Sequence, residues 1–193
     1  MGKHIERTAQ TKQALLDAFW KLYCENKIEK ITVKAVTDEA GFYRSTFYEY
    51  FSDVYEMLEE IESDILARHR QAMEEIFSSK DMTSAQSRAL AFCMENIEQL
   101  AILLGPKGDP KFRTLIKDHI CKAMKELLHV DASEPAIQVT IEVFSGAVIS
   151  LMLYWYENQD TISLPEVFAL GMQIMQNGLF SMMQNLDIPF LKE

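Results

Sequence analysis

Ile31-Thr-Val-Lys-Ala-Val-Thr-Asp-Glu-Ala-Gly-Phe-Tyr-Arg-Ser-Thr-Phe-Tyr-Glu-Tyr-Phe51 is the stretch on which the reading of this chain turns. Thr32 is a good N-cap for a short helix whose Val33, Val36 and Ala40 face inward. Gly41 ends that helix, because it supplies the positive φ that a sharp turn needs at little steric cost. A second short helix is predicted from Tyr43 to Tyr50, with Phe42, Phe47 and Phe51 as core contacts. Two short helices bent about a glycine fit a helix-turn-helix.

Outward from this stretch the apolar period stays helical. Leu15, Ala18, Phe19 and Leu22 fall at i, i+3, i+4 and i+7, one stripe of an amphipathic helix predicted from Thr8 to Asn26. Asp53 with Glu56 reads as a capping box opening a long fourth helix to Ser78. Thr83 with Gln86 is a second box, for a helix through Leu104. Gly105-Pro-Lys-Gly-Asp-Pro110 is a turn cluster, and Asp109-Pro110 places an N-cap before a proline at the first helical position of a helix to His129. Ser133-Glu-Pro135 starts an apolar helix ending near Asn158, and Ser163-Leu-Pro-Glu166 opens a last one to Leu186. The expectation is an all-α chain of about nine helices. Residues 1–52 form an N-terminal three-helix domain with the helix-turn-helix. Residues 53–193 form a helical dimerisation and ligand-binding body, with the helix 53–78 linking the two.

Composition agrees with a helical globule: of 193 residues 48% are hydrophobic and 25% charged, with only seven Gly and five Pro. No uninterrupted apolar run reaches the ~18 residues of a membrane span, and the first seven residues carry no apolar stretch of a secretory signal. A cytoplasmic protein without membrane contact is the expectation. Cys24, Cys93 and Cys121 are odd in number and scattered in apolar helical patterns, which reads as buried free thiols, with redox sensing as the lesser alternative. The net charge of −10 is unevenly placed. Residues 1–50 hold eight Lys/Arg against seven Asp/Glu, and residues 51–193 eleven against twenty-two. An acidic body would repel nucleic acid and orient the near-neutral N-terminal part toward it.

The outer face of the second short helix shows Tyr43, Arg44, Ser45, Thr46 and Tyr48. Arginine can bond a guanine edge through two hydrogen bonds, and threonine can touch a thymine methyl. Tyrosine and serine hydroxyls can bond phosphate and set register. Thr32, Lys34 and Tyr50 complete the candidate DNA contacts, Thr32 as an N-cap first and Lys34 with a solvated-lysine alternative.

At Thr32-Val33, Ala40-Gly41 and above all Thr46-Phe47-Tyr48-Glu49-Tyr50-Phe51 the chain resembles the TetR family of transcriptional regulators. The resemblance is strong over residues 8–62 and implies a dimer that binds a palindromic DNA operator, as a repressor more than as an activator. A weaker likeness joins Leu103-Leu-Gly-Pro-Lys-Gly-Asp-Pro110, Phe112, Tyr154-Trp-Tyr-Glu-Asn158, Ser163 and Pro165-Glu166 to the subgroup of dihydroxyacetone kinase regulators, which can also activate. Two positions depart from the family pattern. Val54 stands where a phosphate-facing lysine is usual, and Tyr43 where serine is usual.

By the same resemblance the last two helices form the two-fold interface, through Phe144, Val148, Leu151 and Trp155 on one and Phe168, Met172, Met175 and Leu179 on the other. Monomer core is the alternative reading. Phe92, Met94, Leu103, Phe112, Ile116, Ile120, Met124 and Tyr154 are candidates to line a pocket for a small-molecule effector, against plain core packing. No catalytic, metal or cofactor site is expected. His4, His69, His119 and His129 are dispersed, and Glu59, Glu60 and Glu62 read as a solvated face. The alternative function is a helical dimer of the same shape that acts through protein partners without operator binding.

Overall fold

A computed structural model describes residues 2–77, 82–128 and 134–178. Among them lie eight α-helices, one turn of 3-10 helix at Ile28–Lys30 and no strand. They are α1 (Gly2–Glu25), α2 (Val33–Ala40), α3 (Arg44–Phe47), α4 (Val54–Phe77), α5 (Met82–Leu104), α6 (Pro110–Leu128), α7 (Pro135–Glu157) and α8 (Leu164–Asn177). The described residues are all-α, as the periodicity predicts.

Several boundaries move. α1 begins at Gly2, ahead of the expected Thr8. α3 is one turn rather than two: past Thr46 the chain tightens into i→i+3 bonds, Glu49 N–H to Thr46 O and Tyr50 N–H to Phe47 O. A run of aromatic residues, which lose side-chain freedom in a helix, favours such a turn. α5 runs from Met82, which places Thr83 within the helix, while the side chains of the expected Thr83–Gln86 box lie outside the described residues. The expected ends at Ser78, His129 and Leu186 lie outside the described residues.

α1 packs on α2 and α4 through Leu15, Phe19 and Tyr23, all fully buried. α4 then leaves the helices α1–α3, called the head below, and packs on α5 and α6 of the remainder, called the body; α7 covers α5 and α6, and α8 lies on α7. Its buried positions are Val54, Met57, Leu58, Ile61, Glu62, Ile65 and His69, a single stripe at helical spacing. Val54 therefore points into the core, which is why no phosphate-facing side chain occupies that position. Glu62 corrects an expectation too. It sits at the i+4 position from Leu58 and is 7% exposed, unlike its solvated neighbours Glu59 and Glu60.

The last two helices meet closely. A Cβ on Gly171 would fall 2.3 Å from Leu151 Cδ1, so with a larger residue there the Leu151 side chain would have to turn aside. Ser163 and Glu166 form the expected reciprocal capping box of α8, with the Glu166 carboxylate accepting from Ser163 N–H at 3.0 Å. α7 is long and apolar enough to cross a membrane by length and composition alone, but Ile141, Ser145, Ile149 and Met152 bury one of its faces within the bundle.

Candidate nucleic-acid interface

The helix-turn-helix is built from local bonds. Thr32 Oγ1 accepts from Ala35 N–H at 3.1 Å, capping α2. At the other end Gly41 takes φ +73°, and its N–H and that of Phe42 both close on the Thr37 carbonyl. This left-handed glycine ends the helix in the manner of a C-terminal cap. Val36 and Phe47 meet as fully buried side chains between α2 and α3. Phe47 also stacks at a tilt on Phe51, with ring centroids 5.8 Å apart. The one buried polar side chain of α2, Thr37, donates to the Val33 or Lys34 carbonyl within its own helix.

With Phe47 turned inward, α3 shows its other side to solvent. Tyr43 is 84% and Tyr48 61% exposed, and Arg44 and Ser45 are exposed with them. Thr46 and Tyr50 are half-buried, and Tyr50 packs against the core. Thr32 and Lys34 lie exposed at the start of α2. The eight predicted contact residues thus fall on two adjacent short helices and the turn behind them.

Lys34 is held by Asp38 at 2.5 Å, Lys21 by Glu39 at 2.5 Å, and Lys12 by Glu60. Among the described residues Arg44 has no carboxylate partner. The outer face is therefore richer in hydroxyls than in free cations. Tyr55, exposed beside the inward-pointing Val54, adds one more hydroxyl that the sequence reading passed over. Its phase was legible: one step round the helix from a buried first residue faces out. Asp53 Oδ1 accepts from Tyr55 and Glu56 N–H, while Glu56 reaches Ser52 N–H at 2.6 Å and Ser52 Oγ. These bonds, the Ser52 N–H first, hold the Glu56 carboxyl below its usual range. The box thus closes one residue earlier than Asp53, on Ser52.

The pocket candidates separate. Phe92, Leu103, Phe112 and Ile116 are buried between α5, α6 and α7, with Ile120 half-buried beside them. Met94 and Tyr154 are exposed, each two residues, about 200° of helix, past the buried Phe92 and Met152. The Met124 side chain lies outside the described residues. Near Phe92 the interior turns polar. His69 stands edge-on to Phe92 at 5.4 Å and to His119 at 6.1 Å, and Asn96 is buried, accepting from Arg68. Burial, then His119, pushes His69 down to about 4.

Of the interface candidates, Val148, Trp155 and Phe168 pack partly against the body's own core, Leu151 meets Gly171, and Phe144, Met172 and Met175 are half-buried. Leu179 lies outside the described residues. The apolar stripe left uncovered is Val139, Val143 and Tyr154 on α7, with Leu170 and Ile174 on α8. All three cysteines are free and half-buried. Burial raises the Cys24 thiol, and raises Cys93 to about 11, which keeps both poor nucleophiles near neutrality.

No family model matches the chain, and no curated protein matches it by sequence. Solved structures do match by shape. A TetR transcriptional regulator from Streptococcus agalactiae superposes with a TM-score of 0.65 at 20% identity, over 89% of this chain and 97% of that one. The fatty acid degradation regulator FadR from Bacillus halodurans gives 0.67 at 12% identity, over 88% and 96%. The dihydroxyacetone kinase operon activator DhaS gives 0.55 at 16% identity, over 86% and 94%. At such identities the likeness is one of fold, and along nearly its whole length this chain has the all-helical fold of the TetR-type transcriptional regulators.

Proposed function

We propose that the protein is a dimeric, cytoplasmic transcriptional regulator that places α3 in the DNA major groove. The observation that carries this is the outer face of the helix-turn-helix: Tyr43, Arg44, Ser45 and Tyr48 exposed together while Phe47 anchors the same turn in the core. Arg44 reads a base edge. Tyr43, Tyr48, Ser45 and Tyr55 bond phosphate through hydroxyls, and Lys34 does so once DNA displaces Asp38. Residues 1–52 act as the reading head and residues 53–193 as the body, with α4 passing between them. A palindromic operator requires two heads at fixed spacing. The uncovered stripe of α7 and α8 supports a two-fold contact between copies, since exposed contiguous apolar surface marks interaction sites.

Repression is the output we propose, because it needs nothing beyond occupancy of promoter DNA. A small-molecule effector bound among Phe92, Leu103, Phe112 and Ile116 would relieve it by favouring a body shape that the DNA-bound heads exclude. A second reading has one observation in its favour. With Lys12, Lys21 and Lys34 already paired to carboxylates, the head suits a dimer that acts through protein partners. Titration of the protein against DNA flanking its own gene, at two salt concentrations, decides between them. Tight, sequence-selective binding by a dimer supports the regulator. Weak binding to any DNA, equal for all sequences, overturns it.

A further inference from the structure

Head and body are joined by more than α4. The end of α1 rests on the turn 105–109 between α5 and α6. There Lys107 Nζ donates to the carbonyls of Cys24 and Glu25, both at 3.0 Å, two acceptors of the kind a helix leaves open at its C-terminus. In return Tyr23 Oη donates to the Lys107 carbonyl at 3.2 Å. The turn has little freedom to yield. A Cβ on Gly108 would fall 1.7 Å from the Leu103 carbonyl oxygen, and one on Gly105 2.6 Å from that of Ala101. Arg113 donates to the Leu104 and Gly105 carbonyls, and Asp109 Oδ1 accepts from Lys111 N–H at 2.8 Å, capping α6.

Glu62 of α4 is buried at 7% exposure, its Oε1 has no hydrogen-bond partner, and Asp109 of this turn acts on its charge. The charges acting on it are Asp109 of the turn and Glu59 of its own helix, both negative. Its charge acts in turn on Tyr23 of α1, a phenol pushed up to about 12 by burial and then by Glu62, Asp109 and Glu29. The cations of the turn and of α6, Lys107 and Arg113, are engaged on backbone carbonyls. Ionised, the carboxylate has no donor on its buried Oε1 and no counter-charge acting on it.

We propose that Glu62 is a proton-operated catch on the head–body joint: protonated, it packs as a neutral group and the Lys107 clamp stays closed on α1; ionised, it draws in water and parts the clamp. Burial first, then Asp109 and Glu59, raises its carboxyl from 4.5 to about 7 in the closed joint. Opened to water, the group returns to its ordinary range. The closed joint therefore binds this proton more tightly, and its advantage is complete below 4.5 and lost as pH rises through about 7. Between about pH 6 and about pH 8 the ratio of open to closed joint rises about tenfold. The consequence for DNA rests on the regulator reading: a dimer with loosened heads no longer holds two half-sites in register, so operator affinity falls over the same range.

The test is amide hydrogen exchange of the intact protein without DNA, at about pH 6 and about pH 8, corrected for the intrinsic pH dependence of exchange. Protection of segments 20–26 and 105–110 should fall about tenfold in the wild type and stay level in Glu62→Gln, which keeps the shape but cannot ionise. Asp109→Asn keeps a capping side chain but removes a charge that opposes ionisation, so its transition should move to lower pH. Level protection in the wild type overturns the proposal. So does an undiminished fall in Glu62→Gln, or, should that variant fail to fold, an unmoved transition in Asp109→Asn. Operator titrations on the same samples separate the two readings: DNA left unbound at every pH sinks the regulator, while the exchange result still decides the catch.

Discussion

The head and the body handle buried polarity in opposite ways. Between α1, α2 and α3 the core is apolar apart from the Tyr23 hydroxyl, which bonds Lys107, and Thr37, whose hydroxyl is satisfied within α2. In the body the buried stripe of α4 carries Glu62 and His69, and α5 adds Asn96. Among the described residues the buried side-chain atoms without a hydrogen-bond partner are Glu62 Oε1, His69 Nδ1 and Trp155 Nε1, all in α4 and α7. A core with satisfied polar groups has one favoured arrangement. A core with open ones gains from any rearrangement or ligand that supplies a partner.

Four substitutions press on that contrast, beginning with the largest effect. Phe47→Ala empties the middle of the head and should cost about 3–5 kcal/mol in denaturant unfolding, with loss of the helix-turn-helix; a cost below about 1 kcal/mol would show that the head does not depend on this anchor. His69 tests the body. Its folded form resists protonation while the unfolded chain takes the proton at 6.5, so its contribution is complete above 6.5 and lost as pH falls toward about 4. That loss is on the order of 3 kcal/mol. His69→Leu should remove it, seen as a flatter acid limb of stability against pH, and an unchanged limb would assign the acid sensitivity elsewhere.

Arg44→Ala touches function without touching the core. It should weaken operator binding by about 1–3 kcal/mol and relax one base position, with unfolding unchanged. The smallest effect is expected of Asp38→Asn, which frees Lys34 from its exposed ion pair. Affinity should rise a few-fold, and the salt dependence should steepen by about one phosphate contact per head. An unaltered slope in a mobility-shift series would mean that Lys34 does not reach phosphate.

The head was the legible part. Thr32, Gly41 and the Phe47–Phe51 pair act on neighbours within a few residues, so caps, turn and inward face could be read in order along the chain. The length of α3 was overestimated, because a run of aromatics at apolar positions looks helical whether or not its bonds tighten. The body's interior was partly written in helical phase. Glu62 follows Leu58 by four and precedes Ile65 by three, which places it on the buried stripe, yet three glutamates in four residues read as a wet face. Met94 and Tyr154 stand exposed for the converse reason: apolar character suggested an inward place although their phase points out.

The sequence by itself determined the helices, their capping and the exposed outer face of α3, because those depend on short-range bonds and on a period of 3.6 residues. Only the tertiary structure decided that Val54 turns into the core, that Gly171 admits Leu151, and that Lys107 closes on the end of a helix more than 80 residues earlier in the chain. Contacts at that separation follow from which helices come to lie together, and no local spacing encodes them. Burial without a counter-charge, which sets the behaviour of Glu62, is a property of that packing alone.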